Sequence, residues 1–419
     1  MEAFGTKGTV RNVDHSAIIE AFEQLLNLGI ALSSIHDLEK LLDLILREAR
    51  HLTRADAGTL YLAKDKKLFF KVSQCQSLTD RWGEERVRRM YQSFELPISR
   101  GSVAGYAALT KEVLNIPDVR EIPQESSYHY DPSWDERAGY ATRSMLVVPI
   151  LNRRDEVVGI LQLINALNAG QVVPFLPDYE RLVSSLASQA AVAIENAELN
   201  ENLRQAHLDT IFRLGVAAEY RDKETANHIK RMSYYSALIA SGLGWPKEAV
   251  ERILWSSLMH DVGKLGIPDR ILQKPGRLTP DERHIMEFHT IIGGNILKGS
   301  RAEVLKESCT VAITHHEKFD GTGYPRGVKG EKIPIEGRIT LLADVFDALC
   351  SKRVYKDPFP DEKVLQILEE GRGSFFDPQI LDVFLGKLDE VRQVRWRYSD
   401  HEEDIDTFKR LGDLTIGEG

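Results

Sequence analysis

Cysteine is scarce in this chain. Only Cys75, Cys309 and Cys350 occur among 419 residues, far apart and never as a CxxC pair. This excludes a disulfide framework and fits a reducing compartment, so a cytoplasmic setting is expected. A long apolar run is also missing, as is a signal-peptide pattern at the N-terminus, so no membrane span is expected. An excess of positive charge is absent too: 54 Lys and Arg stand against 63 Asp and Glu, for a net charge of -9. That removes any global electrostatic case for binding a nucleic acid polymer, although an anionic ligand can still bind locally beside metals. There is no internal repeat. What is present is 42% hydrophobic residues in a length sufficient for two or three domains with real cores.

The pattern along the chain changes character twice. Residues 18–53 read as helical, with Ile35, Leu38, Leu41, Leu42, Ile45, Leu46 and Ala49 at helical spacing. Two strand pairs follow. Thr59–Leu62 and Leu68–Val72 flank the polar turn Lys64–Lys67, while Met145–Ile150 and Val157–Ile164 flank Asn152–Asp155. Between the pairs, Pro117–Tyr140 is polar and reads as a loop or lid. Helix, hairpin, loop, hairpin and helix make an α+β domain around one antiparallel sheet. The run "SMLVVPILNRRDEVVGILQLINALN…FLPDYERLVSSLASQAAVAIENA" from Ser144 resembles the second half of a GAF sensory domain. Cyclic-nucleotide-binding members of that family carry an Asn-Lys…Phe…Asp-Glu signature. Asn165, Phe175 and Asp178 match it, but Ala166 replaces the lysine and Tyr179 the glutamate.

A helix is expected from Asp178 to about Leu214, with Gly215 as its first breaker. Leu182, Leu186, Gln189, Ala193, Asn196 and Leu203 fall near a heptad stripe, which suggests a signalling helix paired in a homodimer. The alternative is one amphipathic helix packed on its own domain. Beyond Leu203 the patterns are all helical: 207–221, 224–242, 247–260, 281–297, 301–316, 336–351, 361–370 and 378–394. Thr279-Pro280-Asp281-Glu282 is a helix start with a capping box.

Within this half stand eight potential metal ligands: Glu224, His228, His260, Asp261, His289, His315, His316 and Asp344. Glu224 and His228 are one turn apart on a helix face. Asp344 lies in the apolar helix Ile339–Ala343, where a lone carboxylate is costly unless it meets a cation. Five histidines and three carboxylates suit two or three divalent metals and the hydrolysis of a phosphate ester. His284, with charged neighbours and five residues from His289, is set aside.

His260-Asp261-Val262-Gly263-Lys264 resembles the HD phosphohydrolase motif, and His315-His316-Glu317-Lys318-Phe319-Asp320-Gly321-Thr322-Gly323-Tyr324-Pro325 resembles the extended motif of the HD-GYP subfamily. The likeness continues through Asp344–Leu349, Arg353–Lys356 and Gly373–Pro378. It implies a cytoplasmic cyclic di-GMP phosphodiesterase regulated by the GAF domain, opening the substrate to pGpG and continuing to GMP. It also implies that the eight residues hold two to three divalent ions, iron or manganese, with Asp261 bridging and Glu224 recruiting a third. Asp261 and Lys264 are the implied catalytic residues. Lys264, Gly321, Gly323, Tyr324, Pro325, Asp347, Arg353 and Lys356 are the implied substrate contacts. A catalytically weak cyclic di-GMP sensor and a hydrolase of another cyclic dinucleotide are the alternatives. The expected layout is a tail (1–19), a GAF domain (20–177), a linker helix (178–206), an all-α HD-GYP domain (207–400) and an acidic tail (401–419).

Overall fold

A computed structural model of the chain describes residue 35 and residues 37–90, 94–222, 225–351 and 358–399. Glu224, Arg353 and Lys356 lie outside the described residues, as do both expected tails and the stretch 18–34 of the first expected helix. The chain divides into two compact units, Met1–Leu203 and Arg204–Gly419.

In the first unit, helix α1 (Leu38–Thr53) starts where the Asp37 carboxylate accepts from Lys40 N–H at 3.1 Å. It buries Leu41, Leu42, Ile45, Leu46 and Ala49 along one stripe. Strands β1 (Ala55–Lys64) and β2 (Lys67–Cys75) form the first expected hairpin. Helices α2 (Gln76–Trp82) and α3 (Glu84–Met90), strand β3 (Glu95–Pro97), helix α4 (Val103–Thr110) and strand β4 (Leu114–Ile116) follow. The polar stretch after β4 contains the short helix α5 (Ser133–Ala138). Strands β5 (Met145–Leu151), β6 (Val157–Asn168) and β7 (Gln171–Val173) complete one antiparallel sheet of order β3-β2-β1-β6-β5-β4, with β7 beside β6. Alternation along the strands serves both faces. Leu60, Leu62, Leu146, Val148, Leu161 and Leu163 meet α1 on one side. Tyr61, Met145, Val147 and Ile160 meet α4 on the other.

Helix α6 (Pro177–Arg221) is 45 residues long. Its first part completes the core of the first unit with Val183, Leu186, Ala187, Ala190 and Ile194. The expected heptad seam is therefore corrected: Leu186 and Ala193 are buried in the unit's own core, because the sheet face claims that stripe. Leu203 of the expected stripe is exposed, together with Val192, Leu199 and Leu214 outside it. Gly215 also does not end the helix. A Cβ there would lie 2.7 Å from the carbonyl oxygen of Leu258, so glycine serves a close approach between backbones.

The second unit is helical, as its patterns indicate. Helices α7 (Ala226–Gly242), α8 (Lys247–Ser256), α9 (Asp269–Leu272), α10 (Pro280–Glu287), α11 (His289–Leu297), α12 (Glu303–Thr314), α13 (Ile335–Cys350), α14 (Asp361–Glu370), α15 (Pro378–Leu385) and α16 (Leu388–Arg397) follow α6. Three expected helices prove shorter or divided. The run 247–260 leaves α-geometry at Ser256 and continues as a 3-10 turn, Ser257–Met259. The run 281–297 breaks at Phe288 into α10 and α11, and the run 378–394 breaks near Gly386 into α15 and α16. The Thr279 capping box forms as expected. The core centres on Met232, Tyr235, Ile339, Leu342, Phe346, Leu381 and Phe384.

Asn165, read above as part of a nucleotide signature, has a structural task. It sits in β6 at φ 57, a left-handed conformation that asparagine tolerates better than most residues. Its Oδ1 accepts from Arg143 N–H at 2.7 Å, and its Nδ2 donates to Ala141 O at 2.8 Å and to the Tyr140 hydroxyl at 2.9 Å. Phe175 is buried in the core against the same helices. Asn165→Ala removes these bonds and places an alanine at positive φ. It is expected to destabilise the first unit by about 2–4 kcal/mol. Denaturant unfolding of the full chain should show an early transition in this variant, with metal content unchanged.

Candidate metal centre

The ends of helices deliver the histidines. His260 caps the 3-10 turn Ser257–Met259, and the chain then turns into a second 3-10 segment, Val262–Gly266. His289 opens α11, directly after the break at Phe288. His315 caps the C-terminus of α12, with His316 following. His228 lies in the first turn of α7, whose N-cap Thr225 accepts from His228 N–H at 3.3 Å. Gly263 permits the convergence: a Cβ there would lie 1.8 Å from His289 O and 2.5 Å from Gly293 N.

The imidazoles are oriented from outside. Nδ1 of His260 lies 3.1 Å from Ser257 O, and Nδ1 of His289 lies 2.7 Å from Met286 O. Nδ1 of His315 lies 3.1 Å from both Val311 O and Ala312 O. Nδ1 of His228 lies 2.8 Å from Asp347 Oδ2. Carbonyl and carboxylate oxygens only accept, so each Nδ1 carries a proton and Nε2 is the nitrogen left to face a cation.

These nitrogens face inward. Nε2 atoms of His289 and His315 lie 3.4 Å apart. Asp261 sits between two groups of donors: its Oδ1 is 3.1 Å from His289 Nε2 and 3.4 Å from His315 Nε2, and its Oδ2 is 3.3 Å from His260 Nε2. Asp261, His289, His315 and His316 form one set of donors within 4.8 Å of one another. Glu219, His228 and His260 form a second. Asp344 Oδ1 lies 3.7 Å from His228 Nε2. His260 Nε2 and Asp261 Oδ1 are buried with no hydrogen-bond partner. Buried, unpartnered acceptors facing one another fit divalent cations between them.

Protonation differs among the histidines: burial opposes the charge on His260, but Asp261 and Glu219 outweigh it and raise its pKa, so a metal there would displace a proton. Burial, reinforced by neighbouring His315 and His289, pushes His316 well below its usual pKa, and burial lowers His315 too. Both are thus neutral ligands near pH 7. Burial opposes the charge on Asp261, but Lys264 and His260 outweigh it and hold the carboxyl well below the usual range.

Other expected site residues fall in different positions. Lys264 points into the centre, 2.5 Å from Asp222, 2.7 Å from Asp261 and 3.5 Å from Glu219. Tyr324 lies against the His316 ring, with centroids 4.7 Å apart. The loop from Gly321 to Pro325 wraps over the end of α12, where a Cβ on Gly323 would lie 2.3 Å from Lys318 N. Asp347 is a correction. It is fully buried, with both oxygens engaged by Arg231 at 2.7 and 2.8 Å besides the bond to His228, so it orients a histidine and offers nothing to a substrate. His284 is exposed, as its charged neighbours indicate.

Sequence reasoning missed Glu219, Arg231 and Glu317. Glu219 follows Ile211, Gly215 and Ala218 on the buried face of α6, so a carboxylate on an apolar stripe was the available signal. Glu317 is fully buried and accepts from Arg326 N–H at 2.8 Å and Val328 N–H at 2.9 Å, which fixes the glycine-rich loop.

Comparison with known proteins places these units. A GAF-domain model matches residues 37–194 and an HD-domain model matches residues 214–380. The chain is 43% identical over 189 residues to a cyclic di-GMP phosphodiesterase of Thermotoga maritima, covering 45% of this chain and 51% of that protein. It is 40% identical over 222 residues to the cyclic di-GMP phosphodiesterase response regulator RpfG of Xanthomonas campestris, covering 52% of this chain and 58% of that protein. It is 40% identical over 204 residues to a 3'3'-cGAMP-specific phosphodiesterase of Vibrio cholerae, covering 49% of this chain and 39% of that protein. The matches thus span roughly 39–58% of these relatives' lengths. The chain therefore carries an antiparallel GAF fold followed by a helical HD region, with relatives named as cyclic dinucleotide phosphodiesterases. No described helix is long and apolar enough to cross a membrane.

Asp347→Asn weakens the outer support of His228 while keeping the shape of the side chain. It is expected to lower metal affinity by about 10–100-fold. Titration of the apo-protein with manganese(II) checks this.

Proposed function

We propose that this chain is a metal-dependent phosphodiesterase of the HD-GYP type that hydrolyses cyclic di-GMP. The observation that supports it best is the position of Asp261, with one oxygen toward His289 and His315 and the other toward His260. One carboxylate can thereby be shared by two metal positions. The first is served by His228, His260 and Asp344, the second by His289, His315 and His316. The names of the relatives support the substrate class.

Bound divalent ions, iron or manganese, would neutralise phosphate charge and supply a water nucleophile at neutral pH. The chain's residues do the remaining work. Lys264 shares its charge among Asp261, Asp222 and Glu219 and keeps Asp261 ionised. Tyr324, stacked beside His316, presents an aromatic face where a guanine base would lie. Gly321 and Gly323 let the loop backbone approach that ligand. Arg353 and Lys356 are assigned to its phosphates, and Glu224 would hold a third metal, whose charge would favour hydrolysis of pGpG to GMP. The assigned domain layout is a GAF domain at 20–177, a linker helix at 178–206 and an HD-GYP domain at 207–400, with the GAF domain regulating the hydrolase. A hydrolase of mixed cyclic dinucleotides is the second reading, favoured by the similarity to the cGAMP-specific enzyme.

Protein loaded with ferrous iron or manganese should convert cyclic di-GMP to pGpG and then GMP, and the double variant His260→Ala, Asp261→Ala should lose at least about 100-fold of this rate. Product chromatography on cyclic di-GMP and 3'3'-cGAMP measures both substrates. Turnover unchanged in the double variant would remove the site from the reaction.

The chain is also assigned as a homodimer through the GAF domain and the linker helix, part of α6. Val192, Leu203 and Leu214 are exposed and recur every eleven residues, with Leu199 beside them. An eleven-residue apolar repeat suits helices that pair nearly straight or with a right-handed supercoil. Light scattering should give a dimer at micromolar concentration and a monomer for Leu199→Glu, Leu203→Glu, since neither leucine contributes to a core. A wild-type monomer overturns the assignment.

A further inference from the structure

We propose that Glu219 is a ligand of the metal position formed by His228 and His260, supplied by the last turn of α6. This rests on the reading of the cluster as a metal centre, and it adds a residue outside the eight inferred from sequence.

Glu219 is 2% exposed, and its Oε1 lies 3.8 Å from His260 Nε2. His260 is fully buried, its Nδ1 is committed to Ser257 O, and its Nε2 has no hydrogen-bond partner. A carboxylate oxygen and an imidazole nitrogen therefore face each other in a buried space. The two are held together only around a cation, a proton in the metal-free protein or a metal that displaces it. The spacing fits that occupant. Metal bonds of roughly 2.0–2.2 Å place neighbouring ligand atoms on the order of 3–3.5 Å apart, so a contraction of a few tenths of an ångström closes the shell. His228 joins Glu219 and His260 in one set of donors within 4.8 Å of one another, and Asp344 Oδ1 lies 3.7 Å from His228 Nε2.

The competing role for Glu219 is counter-ion to Lys264. That lysine already has Asp222 at 2.5 Å and Asp261 at 2.7 Å, and Glu219 is the most distant of the three at 3.5 Å. Three carboxylates around one ammonium leave an excess of buried negative charge, and this excess is costly unless further cations arrive. Lys264 is held by Asp222 and Asp261 without Glu219, whereas Glu219 Oε1 and Asp261 Oδ2 both face His260 Nε2, at 3.8 and 3.3 Å, around one buried space.

The neighbouring residue fixes Glu219 in place. Arg221 donates to the carbonyls of Lys264 and Ile267 at 2.9 and 3.0 Å and pairs with Asp269. The end of α6 is thereby tied to the loop that follows His260 and Asp261.

The test is metal binding by the full-length apo-protein, read by calorimetric titration with manganese(II) and by the visible absorption of the cobalt(II) form. Glu219→Gln should lose one bound equivalent, or bind its weakest equivalent at least tenfold less tightly, and change the cobalt(II) spectrum. Glu219→Asp withdraws the carboxylate by one methylene and keeps the charge toward Lys264. It should be impaired likewise, and it carries the test if the glutamine variant does not fold. Stoichiometry, affinity within twofold and a cobalt(II) spectrum all unchanged in the folded variants would overturn the proposal and leave Glu219 as a counter-ion. Glu224→Gln, measured alongside, separates the two glutamates. A wild-type chain that binds metal but leaves cyclic di-GMP intact would sink the phosphodiesterase reading without touching this one.

Discussion

The centre depends on one device used three times: a histidine that caps the end of a helical segment with its own ring. His260, His289 and His315 each hold Nδ1 near a carbonyl three residues earlier, at Ser257, Met286 and Ala312. The last carbonyls of a helix have no partner within it. Satisfying one with an imidazole N–H stabilises the helix end and, in the same bond, fixes which ring nitrogen is left to face a cation. Three helical segments therefore end at the metal position because ending there is how their carbonyls are satisfied. The 3-10 turn before His260 and the break at Phe288 belong to this device, since an uninterrupted α-helix would carry either histidine past the point of convergence.

Charge divides the buried polar residues into two classes. Asp347 and Arg231 form a closed pair, and burial, which alone would raise the Asp347 pKa, is outweighed by the bonds from His228 and Arg231. Such a group has no remaining demand and acts only by holding His228. Around Lys264 the balance is open. Asp261, Asp222 and Glu219 converge on one ammonium, and Asp344 lies beside His228. Buried ions that stay uncompensated cost several kcal/mol each. A pocket that keeps more carboxylates than cations is thus built to be completed by cations from outside.

Much of this was legible in the residue pattern. Period-two alternation located both hairpins because each sheet face is buried against different helices, and the adjacent pairs His260-Asp261 and His315-His316 marked helix ends that converge. The errors have physical causes. Asp347 reads like a substrate contact because it lies one turn from Asp344. Only the tertiary position of Arg231, 116 residues away in sequence, turns it inward. The heptad on α6 was real as a pattern, but a sheet and a partner helix select the same apolar spacing, and sequence alone does not say which takes it. Glu317 could not be read as a loop anchor, since its partners are backbone N–H groups of Arg326 and Val328, which carry no side-chain signal. Helix breaks at Phe288 and Gly386 lack a proline, and tertiary packing decides them.

Helix α6 contributes to both units. Its first turns complete a core with Val183, Leu186 and Ile194, and its last turn carries Glu219 and Arg221 to the loop after Asp261. Gly215 is its only glycine, and that glycine is held by close contact with the Leu258 carbonyl rather than left as a hinge. The last turn is set by contacts within the second unit: the Leu258 carbonyl at Gly215 and the Lys264 and Ile267 carbonyls at Arg221 fix where Glu219 stands beside His260.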